Sequence, residues 1–343
     1  MTEQSGKPSP VTMRDVAKAA GVSRMTVSRA LRKDSPVSPE TRAHILKIVR
    51  DMNYVPDQMA GSLTTKKSGF VATLLPSLNN LHFALTVQSL TEELEEIGLQ
   101  ILLGHTAYSA DREEELLETM LRRRPEAIVL SYDGHTDRTR RLMEDAAVPV
   151  VEIWEKPDRP IAHTVGFSNF EAAKKMTEQV IAKGYERIAF VGESQDDWTR
   201  GAARRMGFVS AMEHAGLDCH RLIGFGMPPL SIESGAAAAS QLMRDHPDTQ
   251  CLICVSDVAA FGAQSWLLSQ GYKIPGDIAV AGFGNFEVSR FATPSISTVV
   301  VNPEGIGRET GKLLKKLFSS SDPLLSAPQH IDVPATVAFR QSC

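Results

Sequence analysis

Thr12-Met13-Arg14-Asp15-Val16-Ala17-Lys18-Ala19-Ala20-Gly21-Val22-Ser23-Arg24-Met25-Thr26-Val27-Ser28-Arg29-Ala30-Leu31-Arg32 is the stretch on which the reading of this chain turns. It reads as two short helices broken by a tight turn. Thr12 with Asp15 three residues later is a capping-box start, and Val16, Ala17 and Ala20 form one apolar stripe. Gly21 supplies the permissive turn position, and Ser23 can cap the second helix. In that helix Val27, Ala30 and Leu31 recur at helical spacing and would face the first helix. Arg24, Met25, Thr26, Ser28, Arg29 and Arg32 are left outward or at its N-terminal end. Small apolar groups behind and basic, hydroxyl-bearing groups in front predict a helix-turn-helix whose second helix enters a DNA major groove. Taken alone, the pattern also fits a small amphipathic hairpin with a solvated basic face.

Working outward, residues 1–10 are rich in Ser and Pro and predict a loose arm, and Lys33–Val37 reads as a loop. Ser38-Pro39-Glu40 places a cap, an N1 proline and an acidic first turn where a third helix wants them. Ile45, Ile48, Val49 and Met52 would close a three-helix core, and Asn53 can end the helix. Residues 57–69 are too polar and glycine-containing to be a stable isolated helix, so they read as a linker. Charge follows the same division. Residues 1–67 hold 12 Lys/Arg and 6 Asp/Glu, a net of +6, whereas the remainder carries 25 and 35, a net of −10. A basic head on an acidic body is expected when one end alone meets phosphate.

From Phe70 onward apolar runs alternate with helical segments. Phe70–Leu75, Gln100–Gly104, Ala127–Ser131 and Val148–Ile153 are separated by helices near 81–97, 111–123 and 136–146. A second series has strands Arg187–Gly192, Cys251–Val255 and Asp277–Gly282 with helices 200–215, 231–245 and 258–270, and Gly166–Asn169 lies between the series. Strand Ser297–Val301 and helix 303–318 would return the chain to the first lobe. This alternation predicts two parallel sheets covered on both faces, with a cleft between two lobes where a small ligand can sit. Cys251 and Cys254 fall three apart in an apolar strand, pointing to opposite faces, so they read as packing and not as a disulfide or metal pair. Neither a second C-x-x-C nor H-E-x-x-H is present, so no metal is expected; G-x-G-x-x-G and P-loop signatures are also missing, so no nucleotide cofactor is. With no membrane-spanning apolar stretch and no hydrophobic signal core in residues 1–10, a cytoplasmic location is expected.

Residues 11–29, Val-Ser-Pro-Glu-Thr-Arg at 37–42 and Asn-Tyr-Val-Pro-Asp-Gln-Met-Ala at 53–60 resemble the head of a lactose-/galactose-repressor family transcription factor, and the resemblance spans the chain. Leu-Leu-Pro-Ser-Leu-Asn-Asn at 74–80 and Val-Gly-Phe-Ser-Asn-Phe-Glu-Ala-Ala at 165–173 are most similar to gluconate-operon repressors. The resemblance implies a helix-turn-helix headpiece over 1–56, a hinge helix over 57–68 and an effector-binding, dimerising body over 69–343. It implies an N-lobe of about 69–166 and 298–325 and a C-lobe of about 167–297 and 326–343, as in periplasmic sugar-binding proteins.

For DNA, it implies base readout by Arg24, Met25 and Arg29 and support from Met13 and Arg32. Register on phosphates would fall to Ser23, Thr26, Ser28, Ser38, Thr41 and Tyr54, although the serines can equally be simple helix caps. Ala60 and Leu63 would lie in the hinge, Leu63 wedging into the central base step of a pseudo-palindromic double-stranded operator held by a homodimer. Asp57 departs from the neutral or amide residue commoner there.

For the effector, the resemblance implies Pro76, Ser77, His82, Phe83, Trp154, Arg200, Arg204, Ser256, Asp257, Phe283 and Gly284. Arg204 matches the effector-clamping arginine. Arg200, one turn earlier, shares its helix face or else pairs with Asp196 or Asp197. Gly284 stands where neutral-sugar binders usually carry a carboxylate, and Ser256-Asp257 replaces a commoner Asn-Asp. Losing a carboxylate and gaining an arginine points to an anion, a sugar acid such as gluconate or 2-ketogluconate. A neutral sugar or a purine corepressor is the alternative within the family. Outside it, a transport-type binding protein would lack the basic head. An enzyme would need a convergent acid, base or nucleophile set, and adjacent Ser256 and Asp257 with His82 do not form one.

Overall fold

Local capping accounts for the first three helices. The structure is a computed structural model that describes residues 11–32, 36–55, 68–131, 134–193, 199–319 and 327–343. Helix α1 spans Met13–Ala20, α2 Arg24–Ala30 and α3 Pro39–Asp51. At the start of α1 the Thr12 backbone N–H and hydroxyl both donate to Asp15, at 2.9 and 2.6 Å, which holds that carboxyl below its ordinary pKa. Gly21 ends α1 at φ 66°. Ser23 accepts from the Thr26 N–H at 3.1 Å and Ser38 from the Thr41 N–H at 3.2 Å, and caps of this kind contribute about 1 kcal/mol each. Val16, Ala17, Ala20, Val27, Ala30, Ile45 and Tyr54 form the core, with Ile48, Val49 and Met52 half-buried around it. Arg42 on α3 reaches back to the carbonyls of Ala30 and Arg32, at 2.7 and 2.5 Å, and so satisfies the otherwise open end of α2.

Residues 69–343 form a separate compact unit. Its first sheet contains β1 (Phe70–Leu75), β2 (Gln100–His105), β3 (Ala127–Ser131), β4 (Val150–Ile153), β5 (His163–Gly166) and β11 (His330–Asp332), in the order β11-β5-β4-β3-β1-β2. Its second contains β6 (Ile188–Gly192), β7 (Leu222–Gly224), β8 (Cys251–Cys254), β9 (Ala279–Gly284), β10 (Ser297–Val300) and β12 (Thr336–Ala338), in the order β12-β10-β9-β8-β6-β7. All pairings are parallel except β10 with β12. The interiors of β3, β6, β8 and β9 are buried throughout, as strands covered on both faces must be. Cys251 and Cys254 are both buried free thiols.

Two lobe assignments need correction. The strand at 297–300, expected in the first lobe with 298–325, pairs with β9 in the second sheet. Residues 330–332, expected in the second lobe with 326–343, pair with β5 in the first. The chain therefore passes between lobes after β5, after β10 and after β11. Helix Pro303–Ser319 does return to the first lobe, packing along helix Leu81–Glu95. There the Thr86 hydroxyl donates to the carbonyls of His82 and Pro303. Helix Asn169–Ala182 and the short strands β5, β7, β11 and β12 have no counterpart among the sequence-derived elements.

A buried polar joint secures the first crossing. The Glu155 carboxylate accepts from the backbone N–H groups of Lys156 and Asn169, at 3.0 and 3.1 Å, and from Asn169 Nδ2 at 2.8 Å. Burial holds its pKa above the ordinary value despite these bonds. No helix among the described residues is long and apolar enough to cross a membrane.

Candidate functional site

In the N-terminal unit, α2 presents one face to solvent. Arg24, Met25, Arg29 and Arg32 are exposed, Met25 at 64%, while Val27 and Ala30 are buried behind them. Met25 and its arginine neighbours make up the solvent face of a helix whose opposite face is the core, and arginines so placed suit guanine edges or phosphate. Thr26 and Ser28 are half-buried, and the hydroxyls of Ser23 and Thr26, and of Ser38 and Thr41, already bond to each other in pairs. Two residues sit differently from expectation. Tyr54 packs its ring into the core at 8% exposure instead of standing on the surface, and Met13 lies half-buried against that core. Ala60, Leu63 and Asp57 lie outside the described residues.

The second site is a cleft between the two lobes of the body. From the first lobe come Asn80, His82, Phe83, Tyr108 and Trp154; from the second come Glu193, Arg200, Arg204, Ser256, Phe283, Gly284 and Phe286. The elements explain the placement. Asn80 caps helix Leu81–Glu95 by accepting from the His82 N–H at 3.0 Å, which delivers His82 and Phe83 at the helix start. Thr199 caps helix Arg200–His214, whose first two turns carry both arginines. Ser256 caps helix Asp257–Ser269 with its side chain at the cleft wall.

Arg204 is held by two hydrogen bonds and a ring. Its Nε donates to Asn169 Oδ1 at 2.8 Å, its Nη1 to the Val255 carbonyl at 2.7 Å, and its guanidinium lies 3.8 Å from the Phe283 ring centre. Burial and the adjacent Arg200 charge depress its pKa to about 10. Arg200 reaches across to the first lobe, donating to the Ser131 hydroxyl, with its guanidinium 5.1 Å over Phe83. Its expected alternative partners, Asp196 and Asp197, lie outside the described residues. Two cations confined side by side repel each other, and an anion between them relieves that repulsion.

The lobes also meet through rings. His82 stacks on Phe286 with centroids 3.8 Å apart, and Trp154 lies 5.8 Å away. Burial, and then the Arg204 charge, pull the His82 pKa down to about 4, so the imidazole is neutral in this stack at pH 7. Gly284, at φ 126°, makes the stack possible. A Cβ there would stand 2.6–2.8 Å from the Phe286 ring and 2.9 Å from His82 Cε1. The Trp154 ring is 4% exposed and its indole N–H has no hydrogen-bond partner among the described residues, leaving a buried donor at the cleft wall.

Three expected effector residues are not brought to the cleft. Pro76 and Ser77 are buried beyond its wall, the Ser77 hydroxyl bonding to Asn79 at 2.5 Å, because the turn after β1 hands the lining to Asn80 and His82. Asp257 is fully buried and faces away. Its carboxylate accepts from the Phe286 N–H at 2.7 Å and the Thr298 hydroxyl at 2.5 Å, clamping the end of β9 to β10, and burial raises its pKa to about 6. Sequence reasoning in turn passed over Asn80, Tyr108, Glu193 and Phe286. Asn80 closes one of the two stretches similar to gluconate-operon repressors, and Asn169, which orients Arg204, lies in the other. Glu193 and Phe286 gave no local signal.

Comparisons with known proteins fall on these same two units. Residues 12–57 match the model of bacterial regulatory proteins, lacI family, and residues 177–343 match the periplasmic binding protein-like domain. The HTH-type transcriptional regulator GntR of Escherichia coli (strain K12) is 33% identical over 86% of this chain and 88% of its own length. A crystal structure of a LacI family transcriptional regulator from Silicibacter pomeroyi is 59% identical, covering 80% of this chain and 98% of that one with a TM-score of 0.77. A second regulator structure from the same organism, 30% identical, covers 97% of this chain and 99% of that one with a TM-score of 0.90.

Proposed function

Because the chain belongs to the lacI family of bacterial regulatory proteins, DNA-binding transcriptional regulators and not enzymes, we propose that it represses genes of sugar-acid catabolism and is released from its operator by a sugar acid such as gluconate or 2-ketogluconate. The observation that carries this reading is the Arg200–Arg204 pair lining the interlobe cleft, one guanidinium depressed in pKa by burial and by the other. A ligand carboxylate can take a forked pair of hydrogen bonds from guanidinium, an interaction stronger than a neutral one and specific in geometry. Among the described residues Arg204 Nη2 donates no hydrogen bond, which leaves it available for that purpose. Ser256, Asn80 and the Trp154 N–H supply neutral groups for hydroxyls.

Two copies of the chain, paired through their bodies, would set two headpieces on the two halves of a pseudo-palindromic double-stranded operator. Arg24, Met25 and Arg29 read base edges, and Leu63 of each hinge segment enters the central step. Release follows from where the effector sits. Of the contacts that join the lobes, Arg200 to Ser131 and His82 to Phe286, three of the four residues, Arg200, His82 and Phe286, line the cleft. A ligand that engages them biases the lobe arrangement, and a coupling of about 1–3 kcal/mol lowers operator affinity roughly 5- to 150-fold.

Calorimetric titration of the full chain with gluconate, 2-ketogluconate, a neutral hexose and a purine base, alongside operator-shift assays, tests the reading. Binding by the acids, with loss of the operator complex, is the expected result. Binding by the hexose or the purine instead leaves the regulator in place and overturns the sugar-acid assignment.

A further inference from the structure

The cleft carries a second charged group that the arginine pair does not require. Glu155 also faces the arginines electrostatically, but both of its oxygens are committed to Lys156 and Asn169 and serve the lobe crossing. Glu193 is different. It follows β6 directly, lines the cleft, and contributes a favourable charge to Arg204, yet among the described residues its carboxylate accepts no hydrogen bond. Its position is built in. The carboxylate lies against Gly201, in the first turn of the arginine-bearing helix, where any Cβ would run into its oxygens. The cleft therefore holds two cations and, beside them, one carboxylate with unused acceptor capacity.

On the basis of the sugar-acid reading above, we propose that Glu193 is the specificity-determining residue of the cleft: it accepts hydrogen bonds from the polyol hydroxyls next to the bound carboxylate and excludes phosphorylated sugar acids. A monoanionic acid seated on Arg200 and Arg204 offers Glu193 its adjacent hydroxyls, which are donors. A phosphate group offers it none. Whichever end of a phosphorylated acid takes the arginines, the extra negative charge stays inside the same small cleft as the Glu193 carboxylate. With Arg200 and Arg204 already matched by the ligand carboxylate and by Glu193, no cation among the described lining residues is left for that extra charge, and Glu193 opposes it by a factor of up to roughly 50 in affinity for a separation of ~7 Å in an effective dielectric of ~20, less at physiological salt. The cleft thus responds to the acid before phosphorylation and ignores it afterwards.

The test compares gluconate with 6-phosphogluconate by calorimetry on the full chain and on E193Q, which keeps the side-chain shape over Gly201. Operator binding by the ligand-free variant verifies that it is folded. We expect the original protein to favour gluconate by ~tenfold or more. In E193Q that preference falls by ~tenfold, chiefly through tighter binding of the phosphorylated acid, and it becomes less sensitive to ionic strength. An unchanged ratio, or equal weakening of both ligands, overturns the role of Glu193 while leaving the sugar-acid reading standing. Failure of the original protein to bind either acid overturns that reading and this one with it.

Discussion

Replacing Arg204 with lysine separates a simple charge from a forked, stacked one. In the native cleft Arg204 spends Nε on Asn169 and Nη1 on Val255 and sits 3.8 Å over the Phe283 ring centre. Lysine keeps the charge but replaces three roles with one ammonium, so at least one charge-assisted hydrogen bond and the ring contact disappear. A charge-assisted bond contributes about 1.5–3 kcal/mol and a cation–ring contact about 0.5–1 kcal/mol. Because Arg204 is only half-buried, we expect the net loss of stability to be about 1–2 kcal/mol, a fall in Tm of about 2–4 °C per kcal/mol for a body of this size. Ligand affinity suffers more, since the remaining Nη2 donor is what a carboxylate engages. We expect gluconate to bind ~10- to 100-fold more weakly, about 1.4–2.8 kcal/mol. Operator affinity without ligand stays within ~twofold, because no described base- or phosphate-facing residue changes. Titration calorimetry, thermal unfolding and operator shift read the three quantities. Arg204→Lys with native ligand affinity refutes the geometric argument, for the residue would then act as a point charge or not at all.

Three further outcomes follow from individual contacts. Gly284→Ala places a Cβ within 2.6–2.9 Å of the Phe286 and His82 rings at a left-handed backbone position; it should cost about 2–3 kcal/mol in thermal or denaturant unfolding and weaken ligand binding. Arg42→Ala removes the bonds to the Ala30 and Arg32 carbonyls, loosening the end of α2, so operator affinity should drop ~tenfold or more while calorimetry finds ligand affinity unchanged. His82, with a folded pKa of about 4 against 6.5, binds fewer protons folded than unfolded between those values, so its contribution makes stability fall as pH drops from 6.5 towards 4. That contribution approaches ~3 kcal/mol below pH 4 and is missing from His82→Phe, whose unfolding midpoint should therefore be less acid-sensitive than the native protein's over this range. Asp257, raised to about 6, works in the opposite sense, favouring the folded state as pH falls from 6 to 3.8, so the difference between the two proteins is the informative quantity and not either curve alone.

The N-terminal unit was legible residue by residue because every determinant is local. Thr12 with Asp15, Ser23 with Thr26 and Ser38 with Thr41 interact over three residues, and the apolar positions that face inward follow from the 3.6 period alone. Even so, Tyr54 went inside, since whether a ring beyond the last helix folds back depends on the space the three helices leave. In the body, the apolar runs marked β1, β3, β6 and β8 because a strand covered on both faces must be apolar throughout. Which sheet a strand joins is another matter. β10 and β11 exchanged lobes relative to expectation because pairing is decided by partners elsewhere in the chain, 297 with 281 and 330 with 164.

The cleft divides in the same way. Arg200 and Arg204 share one helical face by spacing, so their company was readable from sequence. Asp257 turned away from the cleft because the Phe286 N–H and the Thr298 hydroxyl, 29 and 41 residues downstream, claim its carboxylate. His82 found Phe286 across the lobes only because Gly284 leaves the room, and Glu193 met the arginines because β6 ends beside the helix they open. Sequence alone determined that there would be a basic helix-turn-helix and a two-lobed α/β body, since capping, period and apolar runs act over a few residues. Tertiary structure decided which polar groups face the cleft, because that depends on hydrogen-bond partners and close approaches between segments far apart in the chain.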